Sequence, residues 1–144
     1  MNIDPNAPLV ARDEIIIAAP VEKVWGLETD INRWPEWQPG VTAARLEGDL
    51  AVGSVFRWKA AGMGLVSTLQ EVQPPQRVSW TGKSLGMSAV HCWTFEAQGD
   101  STRVITEESI SGWLASLLKL LMPGFLKKDM AKSLQTLKDQ AEKS

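Results

Sequence analysis

The sequence contains no tyrosine, one histidine (His91) and one cysteine (Cys92). A single cysteine excludes an internal disulfide, so nothing in the chain asks for an oxidising compartment. On a strand, His91 and Cys92 would point to opposite faces, which argues against a Cys–His nucleophilic pair. One histidine and one cysteine also make no metal-ligand set, so no metal is expected. No Gly-rich fingerprint precedes a helix, and no cofactor is expected. No run of about 20 apolar residues is present, so no transmembrane helix is expected. The segment from Met1 to Asp13 lacks the basic stretch and apolar run of a signal peptide, which makes the cytoplasm the simplest location. A net charge of -2 gives no reason to expect nucleic acid or an anionic membrane as the main partner.

What the chain does have is tryptophan, seven in 144 residues. This is the length of one domain, able to bury roughly 70% of its unfolded surface. Large rings can either pack a small core or line a cavity, and their positions must decide. Residues 1–11 hold two prolines and two asparagines and read as a loose N-terminal arm. The rest, 12–143, reads as one domain. Alternation around Ile15 and Ile17 predicts a strand over 12–19. Pro20 suits the first position of a helix over Val21 to Thr29, with Val24 and Trp25 toward the core. Asp30 can cap a second short helix through Trp34, ended or kinked near Pro35.

From Val41 to Gly112 the pattern changes to strands at about 41–47, 54–61, 64–73, 76–82, 87–97 and 102–111, broken by Gly, Pro and Asp. Such short links imply antiparallel hairpins rather than parallel βαβ units. Alternation puts Phe56 and Trp58, then Val78 and Trp80, then His91, Trp93 and Phe95 on one side of a curved sheet. Arg57 has the opposite parity. Leu126, Met130, Leu134, Leu137 and Ala141 then recur at helical spacing and form one face of a long C-terminal helix.

Three segments resemble a known family. Ile17-Ala18-Ala19-Pro20-Val21-Glu22-Lys23-Val24-Trp25 is similar to its opening, in which a strand ends in Ala-Pro and leads to Val-Trp. Asp30-Ile31-Asn32-Arg33-Trp34-Pro35-Glu36-Trp37 resembles its second-helix signature, and Val72-Gln73-Pro74-Pro75-Gln76-Arg77-Val78-Ser79-Trp80 its double-proline turn. Together they resemble the polyketide cyclase/dehydrase and lipid-transport group of the START-like (SRPBCC) superfamily, over about residues 12–143. The resemblance implies an α+β helix-grip fold: a curved seven-stranded antiparallel sheet around a long C-terminal helix, with two short helices after the first strand. It also implies a cavity between sheet and helix. It implies no single activity, because members include cyclases, lipid carriers and hormone receptors.

Gly99-Asp100 suits a two-residue hairpin turn, which pairs Gln98 with Ser101. His91 then lies opposite Glu108, Trp93 opposite Thr106 and Phe95 opposite Val104. A histidine beside a carboxylate in an apolar cavity could hold a proton near neutral pH, as a general acid/base or as the anchor for a polar ligand group. Equally, the pair could do no more than satisfy two half-buried polar groups. The candidate pocket comprises Phe56, Trp58, Val78, Trp80, Trp93 and Phe95 from the sheet, Met130 and Leu134 from the helix, and His91 with Glu108 as its polar end. The leading reading is binding or transport of a small hydrophobic or aromatic molecule. One alternative is a cyclase or dehydratase using His91 and Glu108. Another is an interaction module docking through Trp113 to Met122, where only Ser116 and Lys119 interrupt the apolar residues. That segment is best read as a buried gate at the cavity lip. Self-association into a homodimer and transient membrane contact are the other readings.

Overall fold

The computed structural model describes residues 2–143. Seven strands form one antiparallel sheet: β1 (Leu9–Ile17), β2 (Val41–Glu47), β3 (Val55–Ala60), β4 (Met63–Gln73), β5 (Arg77–Ser84), β6 (Met87–Gln98) and β7 (Ser101–Ser111). Their spatial order is β1-β7-β6-β5-β4-β3-β2. The consecutive strands β2 to β7 are joined by short turns, as the Gly and Pro breaks require. Only β1 pairs out of sequence, with β7. Two short helices, α1 (Val21–Thr29) and α2 (Trp34–Trp37), follow β1 with a 3-10 turn (Ile31–Arg33) between them. A nine-residue helix α3 (Trp113–Leu121) and the long α4 (Phe125–Ala141) close the chain. This is the expected α+β helix-grip architecture.

Two boundaries differ from the reading of the sequence. The first strand begins at Leu9 and ends at Ile17, so the N-terminal arm is shorter than residues 1–11. Leu9 and Ala11 are buried, and Leu9 pairs with Ile110, so the inward alternation starts three residues before Arg12. The arm itself is tethered, with the Asp4 amide donating to the Ser109 hydroxyl at 3.0 Å. Pro20 stands at the cap of α1 with extended backbone, one position before the helix proper.

Two hydrophobic clusters fill the space between sheet and helices. The larger joins Ile17, Val24, Trp25, Trp34, Phe56, Leu69, Val78, Trp80, Trp93, Phe95 and Val104 to Leu134, Leu137 and Ala141 of α4. The smaller gathers Leu9, Ala11, Ile110 and Ala115 around Leu126 and Met130. Buried residues of α4 fall at 126, 130, 134, 137 and 141, one stripe of a 3.6-residue helix. The helix therefore spans both clusters: Met130 belongs to one and Leu134 to the other.

Candidate functional site

The β6–β7 hairpin sets the geometry of the site. Gly99 has φ 63°, the left-handed region that glycine enters without penalty, and the two-residue turn pairs Gln98 with Ser101. That register brings His91 opposite Glu108, Trp93 opposite Thr106 and Phe95 opposite Val104. The His91 Nδ1 lies 3.4 Å from Glu108 Oε2, and its Nε2 is 2.8 Å from the Thr106 hydroxyl. Both members of the pair are largely withdrawn from water, their side chains 16% and 18% exposed. Burial favours the neutral form of each. The imidazole is pushed down from 6.5 to about 3, and the Glu108 carboxyl up from 4.5 to about 8, with the nearby Asp129 of α4 adding to the rise. A protonated Glu108 can donate only toward an unprotonated Nδ1, which leaves Nε2–H to donate to Thr106.

Around this pair the rings form a continuous run along the concave face. His91 contacts Trp80 and Trp93 with ring centroids 5.2 Å apart in each case. Trp93 stacks on Phe95, and Phe95 meets Trp25 of α1 edge-on. The Trp93 indole Nε1–H is buried without any hydrogen-bond partner, in a residue only 3% exposed. Buried indole N–H groups normally find an acceptor, and leaving one unmet costs about 1–3 kcal/mol.

At the other end the concave face is occupied. Trp34 reaches over the sheet and packs against Phe56, Trp58 and Trp80 at centroid distances of 5.6, 5.3 and 5.8 Å. Its own Nε1–H is satisfied by the Glu28 carbonyl, which ties the turn after α1 to this position. Trp58 donates to the Ser67 hydroxyl. Of the expected pocket residues, Phe56 and Trp58 therefore lie in a packed ring cluster with Trp34, and Val78 is buried in the larger core cluster. Trp80, His91, Trp93, Thr106 and Glu108 form the polar-and-aromatic end. Two surface concavities lie elsewhere: one of about 400 Å³ bordered by Pro75, Arg77 and Phe95, and one of about 180 Å³ bordered by Arg33, Trp37 and Gln140.

Reading the sequence missed Glu28. It continues the inward stripe Val21, Val24, Trp25 at i+7, i+4 and i+3, and it is buried at 4% exposure. Burial raises its carboxyl to about 8. The helical spacing alone would have marked it as an inward acid.

The opposite face of the sheet carries its own polar network. Arg77 donates to Glu71 at 2.9 Å and to Thr94 at 3.0 Å, and Ser79 donates to Glu71. Cys92 is buried on this face, away from His91, and burial raises its thiol. No group of three or more His, Cys, Asp or Glu that could hold a metal occurs among the described residues.

Comparison with known proteins agrees with this architecture. The family model for polyketide cyclase / dehydrase and lipid transport matches residues 9–142. The chain belongs to that family. A search of curated proteins by sequence found no match. Among solved structures, a hypothetical protein of Helicobacter pylori is similar at TM-score 0.85 and 20% identity, covering 96% of this chain and 91% of that one. The Zhui aromatase/cyclase of Streptomyces sp. R1128 is similar at TM-score 0.79 and 13% identity, covering 92% and 93%. Norcoclaurine synthase of Thalictrum flavum follows at TM-score 0.71 and 14% identity, covering 94% and 87%. At these identities the likeness is one of fold.

The segment after β7 departs from expectation. A buried gate was expected over 113–122, but in α3 only Ala115 is buried, with Leu114 and Leu118 half-buried and Leu118 packed against the smaller cluster. A single short helix can turn only one face to the sheet. Because α3 is apolar nearly all round, its remaining apolar residues face outward.

Among the described residues no helix is long and apolar enough to cross a membrane.

Proposed function

We propose that the protein binds a small hydrophobic or aromatic molecule at the end of the concave face formed by Trp80, His91, Trp93, Thr106 and Glu108. The observation that carries this reading is the orphaned Trp93 Nε1–H beside a part-exposed His91–Glu108 pair. An apolar ligand bearing a carbonyl, ether or hydroxyl oxygen would supply the missing acceptor, and the surrounding rings would supply apolar contact. Affinity comes mainly from the apolar area, about 25 cal/mol per Å² removed from water less the costs of association. The polar groups orient the ligand. Membership of a family that includes lipid transport and polyketide cyclisation supports the class of ligand.

Native mass spectrometry after exposure to a lipid extract and to a set of aromatic ketones and phenols tests the reading. A one-to-one adduct that weakens in Trp93→Phe and disappears in Trp80→Glu is the expected outcome. An unchanged bare mass across all extracts would overturn it. If the bound molecule is converted, and conversion alone is lost in His91→Ala or Glu108→Gln, the site is that of a cyclase or dehydratase.

A second reading, docking through residues 113–122, is favoured by the outward apolar face of α3. A membrane and a second copy of the chain are the two partners it could serve.

A further inference from the structure

The outward residues of α3 form a stripe. Trp113, Leu117, Leu120 and Leu121 stand at i, i+4, i+7 and i+8, one face of a helix, and their exposures lie between 43% and 79%. Met122 extends the stripe past the helix end, also exposed. Leu85, 80% exposed, sits on the β5–β6 turn, which is joined to the start of α3 by the Leu114 amide donating to the Gly86 carbonyl at 3.1 Å. Isolated exposed leucines are ordinary on a protein surface, but a continuous stripe of this kind is an interaction surface.

The two stretches of chain that carry the stripe hold basic side chains and no acid, the nearest acids along the chain being Glu96, Glu108 and Asp129. Residues 109–128 contain Lys119, Lys127 and Lys128 and no carboxylate; residues 77–95, which include the adjoining turn, contain Arg77, Lys83 and no carboxylate. Lys127 is partly spoken for, donating to the Arg12 carbonyl and lying 3.7 Å from Asp13. Lys83, Lys119 and Lys128 are exposed. The chain as a whole carries -2, so the net charge does not reveal this local excess of lysine along the two stretches. A two-fold dimer through α3 would set this patch against itself and bring like-charged lysines together. An anionic bilayer meets the same lysines with opposite charge and accepts the apolar stripe below its headgroups.

We infer that α3 and the adjoining Leu85 turn form a docking surface for an anionic lipid bilayer, with Trp113, Leu117, Leu120 and Leu121 entering the interface and Lys119, Lys128 and Lys83 meeting the headgroups. This rests on the docking reading of α3 and is independent of the ligand site. The association is peripheral, because a nine-residue helix is too short to span a bilayer.

Co-sedimentation of the purified chain with vesicles tests it, using phosphatidylcholine alone and phosphatidylcholine with about one-third phosphatidylglycerol. Binding is expected to the anionic vesicles and at least about tenfold less to the neutral ones. Each lysine near an anionic surface contributes about fivefold in affinity, so Lys119→Gln with Lys128→Gln weakens binding roughly 25-fold, and about 0.5 M salt weakens the wild type in the same direction. Leu120→Glu with Leu121→Glu abolishes binding. Both positions are exposed, so the melting temperature and circular dichroism of this variant stay those of the wild type, which separates lost docking from lost folding. Sedimentation equilibrium of the free protein completes the test. A dimer abolished by the same double substitution, with no vesicle binding, gives the surface to a second copy and overturns the bilayer assignment alone. A monomer that binds neither vesicle overturns the docking reading as well. Equal binding to both vesicles overturns the role of the lysines.

Discussion

Raising the pH from about 5 to about 8 is expected to destabilise this protein, and the cause lies in two buried carboxyls. Glu28 and Glu108 titrate near 4.5 when unfolded and near 8 when folded. Between those values the folded state holds a proton at each site that the unfolded state has released. Stability then falls as pH rises, and the fall ends above about 8, where both states are ionised. A shift from 4.5 to 8 corresponds to at most about 5 kcal/mol per group at about 1.4 kcal/mol per unit. Residual hydration of the 18%-exposed Glu108 and relaxation around either ionised group reduce this, and we expect about 2–3 kcal/mol each. His91 acts in the opposite sense. Its folded value near 3 lies below the unfolded 6.5, so the stability it contributes is present above 6.5 and is lost as pH falls toward 3. From 4.5 to 6.5 two falling contributions oppose one rising one, which places maximum stability in weak acid. The count does not depend on where the shared proton sits, since a neutral pair and a His91⁺–Glu108⁻ pair hold the same number of protons. Urea unfolding at pH 5 and pH 8.5 measures the difference in wild type, Glu28→Gln and Glu108→Gln. Each glutamine is uncharged at both pH values and removes one carboxyl's share of the decline. A decline of the same size in both variants would refute the assignment of these buried carboxyls as its source.

Other perturbations follow from the same packing. Trp93→Phe keeps the stacked ring and removes the orphaned N–H, so it is expected to raise stability by about 1 kcal/mol in denaturant unfolding while weakening any oxygen-bearing ligand. Trp34→Ala empties the space over Phe56, Trp58 and Trp80 and is expected to cost about 3–5 kcal/mol in the same assay. The void it leaves should take up a small aromatic probe such as benzene, detectable as a rise in melting temperature. Gly112, at φ 110°, has no room for a side chain, since a Cβ would fall 2.3 Å from the Gly86 carbonyl oxygen. Gly112→Ala is therefore expected to cost about 2–4 kcal/mol and to loosen α3 from the Leu85 turn, read as faster amide exchange at Leu114.

The sheet was legible because its strands alternate cleanly and its turns carry Gly, Pro and Asp where hairpins need them. The His91–Glu108 pairing followed from one feature, the two-residue Gly99-Asp100 turn, which propagates a fixed register along two long strands. What escaped the sequence reading depends on how separate elements meet. Trp34 is one of seven tryptophans, and only the path of the chain after α1, fixed in part by its bond to the Glu28 carbonyl, shows that it covers the sheet at Phe56, Trp58 and Trp80. Local periodicity says that α3 is apolar, but not that its partners touch only the Ala115 side. Leu9 and Ala11 belong to the first strand because β7 is long enough to pair with them, a long-range fact hidden behind a proline-rich start. Glu28 is different, for its spacing from Val21, Val24 and Trp25 already placed it inward.

The central claim is that the buried Trp93 N–H meets a ligand oxygen beside His91. Nitrogen–proton NMR of the seven indole groups, with the Trp93 signal assigned by its disappearance in Trp93→Phe, tests this most directly. On titration with the molecule identified by native mass spectrometry, the Trp93 Nε1–H resonance should move downfield and its solvent exchange should slow, as a new hydrogen bond requires. A Trp93 signal that stays fixed while other indoles shift would place the ligand elsewhere and contradict the account.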